Sequence, residues 1–221
     1  MKKTNSLSIL IILLWVSISV KSQTQPIANQ DDLQSWNDIQ LTVPMSKEFD
    51  FYTAVTMRLG KNISRLNDER FAIGFIYKPN KSWSLQPFYW NIQARNPRGQ
   101  FRNEHRLNLR IGYKFPFKSF GLSHRSWFEY RMRRPENSWR YRPSLTFEKE
   151  LPKKFGARFY LTEEIFYDSL LEKFSRNRLT IGINKTVAKQ LSVDLYFMRQ
   201  NDGNSRPGDL NVIGTAWKIK L

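Results

Sequence analysis

The chain contains no cysteine. That absence removes a disulfide framework, any thiolate metal site, and lipid anchoring through an N-terminal cysteine. Histidine occurs twice, as His105 and His124, too sparse for a metal cluster built on imidazoles. No oxygen-rich ligand loop compensates, because Asp202-Gly203-Asn204 is ordinary turn chemistry. The expectation is therefore no metal and no cofactor. Gly74, Gly112, Gly182 and Gly214 are scattered and form no phosphate-cradling loop; they mark bends or close packing in strands. Acidic residues are few, 19 against 36 Lys and Arg, giving a formal net charge of +17. Beyond residue 20 no apolar run approaches the ~20 residues of a membrane helix.

At the N-terminus, Lys2 and Lys3 precede the apolar run Leu7 to Val20, followed by Val20-Lys21-Ser22-Gln23. A short basic region, an apolar stretch too short to span, and small residues at the −3 and −1 positions are the marks of an export leader. Cleavage is expected after Ser22. The remaining 199 residues (221 minus 22) suit one domain, residues 35–221, preceded by an irregular segment at 23–34.

The composition is polar, with mean hydropathy −0.56, yet 14% of residues are aromatic. A membrane β-barrel has this bias, because only alternate residues face lipid and aromatic girdles mark both interfaces. From Trp36 onward the chain reads as segments of eight to twelve residues broken by turn signals. Strands are expected near 36–43, 49–59, 69–78, 83–95, 103–115, 122–133, 139–150, 157–168, 178–187, 191–200 and 211–221. Within 103–115, His105, Leu107, Leu109, Ile111 and Tyr113 alternate with Glu104, Arg106, Asn108 and Arg110. Period two places the two sets on opposite faces. Within 122–133, Phe128 and Tyr130 alternate with Arg125, Trp127, Glu129 and Arg131. Apolar residues do not recur at three and four, so a helical reading fails.

Compact connections such as Pro44–Glu48 and Pro116–Gly121 alternate with longer ones, Gly60–Asp68, Asn96–Arg102, Arg134–Ser138, Ser169–Asn177 and Asn201–Leu210. That alternation points to short periplasmic turns, longer outer loops and a C-terminal strand running inward. The fold class is all-β, an antiparallel up-and-down transmembrane barrel of ten to twelve strands. Twelve is preferred, with residues 25–34 supplying the extra strand, because bacterial single-chain barrels have even counts. The competing reading is a soluble periplasmic barrel with the same faces inverted, binding an anionic ligand.

The polar face carries Arg70, Glu104, Arg106, Arg110, Arg125, Glu129, Arg131, Arg140, Arg142, Glu164 and Arg178. Arginine stays charged and engages carboxylates through a planar fork, so these residues are expected to form a lumen ion-pair network. Such a network either fills the interior as a structural plug or attracts small anionic solutes into a narrow channel. Both histidines fall on the apolar face, which argues against a His-based hydrolase; a lipid-modifying enzyme at the outer rim is the alternative. Glu163 interrupts the apolar set Phe159, Leu161, Ile165, Tyr167, opposite in facing to Glu164. Nucleic acid is not an expected partner, since the charges alternate along strands. Lys61, Arg65, Arg95, Arg98, Arg102, Arg134 and Arg206 are placed to meet lipopolysaccharide phosphates and outer-membrane lipid. The C-terminal strand, Asn211 to Leu221, is similar to the signal read by the barrel-assembly machinery, with Leu221 where an aromatic is usual.

Several motifs converge on one resemblance. They are Trp36, Glu104-His105-Arg106, the run HRSWFEYR holding Arg125, Glu129 and Arg131, then Arg140-Tyr141-Arg142, Glu164-Ile165-Phe166 and Arg178. The turns LPKKFG and KPNKSW match the same style. Over about residues 34–221 the chain resembles a bacterial family known only as a domain of unknown function, regarded as small outer-membrane barrels. The resemblance implies a fold and a location, and no reaction.

Overall fold

The computed structural model describes residues 31–221 apart from positions 97 and 206. The expected leader, its cleavage site and the stretch 25–30 lie outside the described residues. Eleven strands follow in chain order. They are β1 (Asp32–Pro44), β2 (Phe49–Gly60), β3 (Arg65–Tyr77), β4 (Trp83–Arg95), β5 (Phe101–Lys114) and β6 (Gly121–Met132). The rest are β7 (Ser138–Glu150), β8 (Ala157–Asp168), β9 (Lys173–Ala188), β10 (Leu191–Asp202) and β11 (Leu210–Lys220). A short 3-10 turn at Lys153–Phe155 lies between β7 and β8.

Each strand pairs antiparallel with its sequence neighbours, and the sheet closes into a barrel where β1 meets β11. An odd number of alternating strands cannot close antiparallel throughout, so that last pair is parallel, in register from Asp32↔Leu210 to Thr42↔Lys220. The ring of eleven falls within the expected ten to twelve. Of the extra strand expected at 25–34, only 31–34 are described: β1 begins at Asp32, inside the stretch expected to be irregular, and pairs directly with β11.

The loop expectation needs correction. One rim carries turns 61–64, 96–100, 133–137, 169–172 and 203–209; the other carries 45–48, 78–82, 115–120, 151–156 and 189–190. Their lengths do not differ systematically. β3 starts at Arg65 and β9 at Lys173, so much of what reads as loop continues the ladder. The rim with turn 61–64 is called the upper rim below, the other the lower rim. The C-terminus of β11 lies at the lower rim.

The alternation of faces follows the sequence pattern. On β5 Leu107 is 54% exposed and its neighbour Arg106 is 7% exposed; on β11 Ile213 is 54% and Val212 is 0%. The outside is a belt of Phe71, Ile73, Phe75, Leu107, Phe128, Ile181, Ile183, Leu195 and Trp217. Aromatic pairs edge this belt. Phe49 stacks on Tyr77 and Trp83 packs against Tyr113 near the lower rim, while Trp139 stacks on Tyr167 near the upper one. Apolar residues outside and charges inside invert the order of a soluble barrel, and lipid is the solvent that accommodates them. The barrel is therefore a membrane-spanning one, and the soluble reading fails on this distribution.

Two inward glycines make room for rings from the next strand. A Cβ on Gly214 would sit 2.0 Å from the Tyr196 ring, and one on Gly182 would sit 2.5 Å from that of Tyr160.

A closed barrel makes a firm prediction for gel electrophoresis. Unboiled protein in dodecyl sulfate should migrate faster than boiled protein, because the intact barrel stays compact. Identical mobilities with and without boiling would contradict a closed barrel.

Candidate functional site

The inward faces of β5 to β9 bring most of the expected network together. Glu104 accepts from Arg106 Nε at 2.7 Å and from Arg131 Nε at 2.6 Å. Glu129 accepts from Arg142 Nη1 at 2.6 Å, with Arg106 Nη1 3.4 Å away. Glu164 accepts from Arg125 Nη2 at 2.6 Å and Arg142 Nη2 at 2.8 Å, and Arg178 Nη1 lies 3.7 Å away. Asp168 takes Arg140 at 2.6 Å and faces Arg131 at 3.7 Å. The result is one chain of alternating charge: Asp168, Arg131, Glu104, Arg106, Glu129, Arg142, Glu164. Strand register explains it: Asn108↔Glu129 and Trp127↔Arg142 set Arg106 and Arg142 two residues off Glu129 along the same inward face, and Arg178 stands directly opposite Glu164.

Two expected members stand apart. Arg70 pairs through both fork nitrogens with Asp68, at 2.6 Å each, on its own strand. Arg110 has no carboxylate partner among the described residues. Its Nη1 reaches Gln86 at 3.4 Å, and its guanidinium lies 3.7 Å from the Trp127 ring centroid.

Aromatic rings are the component the expected network omitted. Arg142 lies 3.8 Å from the Trp127 centroid, so arginines from β5 and β7 flank the indole of β6. Arg58 lies 3.5 Å from the Trp36 centroid, and Arg178 lies 4.6 Å from that of Phe166. The Nε atoms of Arg58, Arg110 and Arg142 are buried without a hydrogen-bond partner. Ring faces compensate them, since a desolvated guanidinium over an indole gains about 2 kcal/mol. Trp127 Nε1 in turn donates to Asn108 at 3.0 Å. A cluster of Tyr52, Phe88, Trp90, Ile92 and Trp127 continues the packing. Every strand contributes a buried inward position in its middle or upper part, from Trp36 on β1 through Glu129 and Phe166 to Val212 on β11. The lumen is thus filled at that level.

Above this layer a cavity of about 330 Å³ lies toward the upper rim. Arg58, Arg70, Arg106, Arg131, Arg133, Arg140, Arg142, Arg176 and Arg178 line it, with only Asp168 and Asp202 as lining carboxylates. Arg176 donates to Asp202, which also accepts from Ser205. Asp68, Arg176 and Asp202 were absent from the expected site because they lie in stretches that read as loops, and Asp168 because it closes the expected strand 157–168 at its very end. No group of three or more metal-ligating side chains occurs among the described residues.

The histidines lie on the outer wall. His105 Nε2 meets Asn103 Nδ2 at 2.9 Å and Nδ1 meets the Tyr89 hydroxyl. His124 Nε2 lies 3.0 Å from Ser126 Oγ, which lies 3.0 Å from the Tyr141 hydroxyl. No carboxylate hydrogen-bonds His124 among the described residues, so this Ser–His contact lacks the orienting group of a nucleophilic triad.

The Glu129 carboxylate, fully buried between Arg106 and Arg142, should be a stability keystone. Glu129→Gln leaves two buried guanidinium groups short of charge and is expected to cost about 3 kcal/mol. Glu150→Gln removes an exposed partner of Arg158 and should cost about 0–1 kcal/mol. Urea unfolding followed by tryptophan fluorescence reads both; equal costs would refute the central role of Glu129.

Comparison with known proteins fits this geometry. The structure titled NanC porin matches with a TM-score of 0.54 at 9% identity, covering 86% of this chain and 99% of that one. The KdgM porin matches with a TM-score of 0.47 at 13% identity, over 78% of this chain and 92% of its own. An anion-selective porin from Comamonas acidovorans matches with a TM-score of 0.39 at 10% identity, over 79% and 53%. The first of these shows a shared barrel fold. No curated protein matches the chain in sequence. Residues 33–211 match the family described as Protein of unknown function (DUF2490), and the chain belongs to that family.

Proposed function

We propose that this protein is an outer-membrane barrel that draws small anions into an arginine-lined upper vestibule, with a narrow lumen that is closed at rest. One observation carries the reading. Nine arginines (Arg58, Arg70, Arg106, Arg131, Arg133, Arg140, Arg142, Arg176, Arg178) line the upper vestibule, against only Asp168 and Asp202 as lining carboxylates. A cleft with low-dielectric walls and surplus fixed charge concentrates the opposite ion. The surplus opens into the vestibule, where an anion finds guanidinium forks. The filled layer around Trp127 makes free passage narrow, so the same residues that attract an anion also restrain it.

Several features support the location. The apolar belt calls for a bilayer, the barrel fold is shared with a porin, and the leader expected at 1–22 directs export. The C-terminal strand, similar to the signal read by the assembly machinery apart from Leu221, supports a lower rim at the periplasm and a vestibule outside. Cationic side chains at that upper rim, Lys61, Arg65, Arg98 and Arg134 among them, then face lipopolysaccharide phosphates. The protein acts as a binding and passage device rather than an enzyme, in keeping with the unoriented Ser–His contact.

Planar-bilayer recording tests this. The wild type in a salt gradient should give small conductance steps with a reversal potential on the anion side. Arg110→Gln and Arg131→Gln should each move that potential toward zero, with heat modifiability confirming the fold. Cation preference, or a potential unmoved in both variants, would refute anion attraction. Silence in bilayers together with no anion binding would leave the barrel a structural element.

A further inference from the structure

Glu163 is a carboxylate at mid-height on the lipid-facing wall. On β8 it stands between Phe159 and Leu161 below and Ile165 and Tyr167 above. Four residues along a tilted strand put it about 10 Å beneath the Tyr167 girdle. Its cross-strand partners are Leu145 on β7 and Leu179 on β9. Its Oε1 is buried with no hydrogen-bond partner. Asn177 on β9, whose Oδ1 accepts from Asn201 Nδ2 at 3.1 Å, lies within hydrogen-bond reach of the carboxyl, and Oε1 is the oxygen left free. An ionisable group inside the bilayer is costly and marks a functional contact by default.

The same wall carries a matching donor. His124, Ser126 and Tyr141 form one hydrogen-bonded chain across β6 and β7, with 3.0 Å at each link. Two links use two of the chain's three hydrogens, so one donor stays free, on His124 Nδ1, on the Tyr141 hydroxyl or on Ser126 between them. His124 and Glu163 flank Leu145 on one register row, His124↔Leu145 and Leu145↔Glu163. The lone acceptor thus lies on one side of β7 and the spare donor on the other.

We infer that the outer wall of β6 to β8 is a lateral interface with a second copy of this chain. A twofold axis along the membrane normal beside β7 sets β8 of each copy against β6 of the other. Each Glu163 carboxyl then meets the donor chain of the second copy, and the contact is made twice. Self-complementarity of this kind is the condition for a twofold pair. Pro143 and Leu145 lie at the axis, where short side chains let the walls approach. The interface leaves the lumen untouched, so it stands or falls separately from anion attraction.

The test exploits the absence of cysteine. Full-length Leu145→Cys, oxidised in intact outer membranes, should form a disulfide-linked dimer, and Phe71→Cys on the opposite wall should not. Adding Glu163→Leu to Leu145→Cys should lower the dimer yield roughly three- to tenfold, the scale of polar contacts within membranes. Glu163→Gln, which still hydrogen-bonds, should retain most of it. Heat modifiability verifies that each variant is folded; should Glu163→Leu fail to fold, the two-wall comparison decides alone. Equal cross-linking from both walls, a yield unaffected by Glu163→Leu in the folded barrel, or capture of a different protein by Leu145→Cys would overturn the assignment to a second copy.

Discussion

Glu129 shares two arginines across three strands, and the interior depends on that arrangement. Its carboxylate is fully buried, with Arg142 of β7 on one oxygen and Arg106 of β5 facing the other. Closing a sheet of alternating residues into a narrow ring sends every inward charge toward one axis. Charges that water would screen on an open sheet are desolvated there, so each must find an opposite charge or a ring face. The chain from Asp168 to Glu164 is the outcome, with Trp127, Trp36 and Phe166 taking the guanidinium groups that carboxylates do not fully satisfy.

Ring size and filling are linked by the same constraint. Arginine and tryptophan are long enough to meet across the axis of a small barrel. Small inner positions matter as much: Ala72 and Ala54 give space to Phe88 and Trp90, and Gly214 and Gly182 accept the rings of Tyr196 and Tyr160. The parallel β1–β11 closure fits this economy. It joins β1, which carries Trp36, directly to β11 without another antiparallel strand, and Trp36 packs there with Met198, Leu210 and Val212.

The middle of each strand was legible in the sequence because there the two faces have opposite chemistry. Leu107 against Arg106 and Phe128 against Glu129 leave no choice of face. In the upper stretches 65–69 and 173–177 polar residues dominate both faces, and period two carries little hydrophobic signal there. Asp68, Lys173 and Arg176 therefore read as loop although the ladder runs through them. For the same reason the loop-length contrast did not survive. The partner of each charge was illegible for a different reason, because it depends on stagger between strands. Arg110 looked equivalent to Arg106 in the sequence, yet register sets it beside Trp127 and Gln86 and away from any carboxylate. Trp127 was visible among the charges of its face. Its role emerges only when β5 and β7 close around it.

Filling and attraction are thus two consequences of one composition. A lumen whose arginines met carboxylates evenly at every level would be a neutral plug, and one with arginines alone would repel itself apart. Here the carboxylates suffice to hold the middle layer, and ring faces carry part of the remainder. The uncompensated charge is displaced upward, where Arg133, Arg58 and Arg178 edge the vestibule. An anion entering there meets donors that need no reorganisation, because their planes are already held by Asp68, Gln200 and the aromatic rings. To go further it must displace a carboxylate from its arginines or slide between Arg142 and Trp127. The depth an anion reaches is therefore set by its ability to replace Glu129 or Glu164 as a partner.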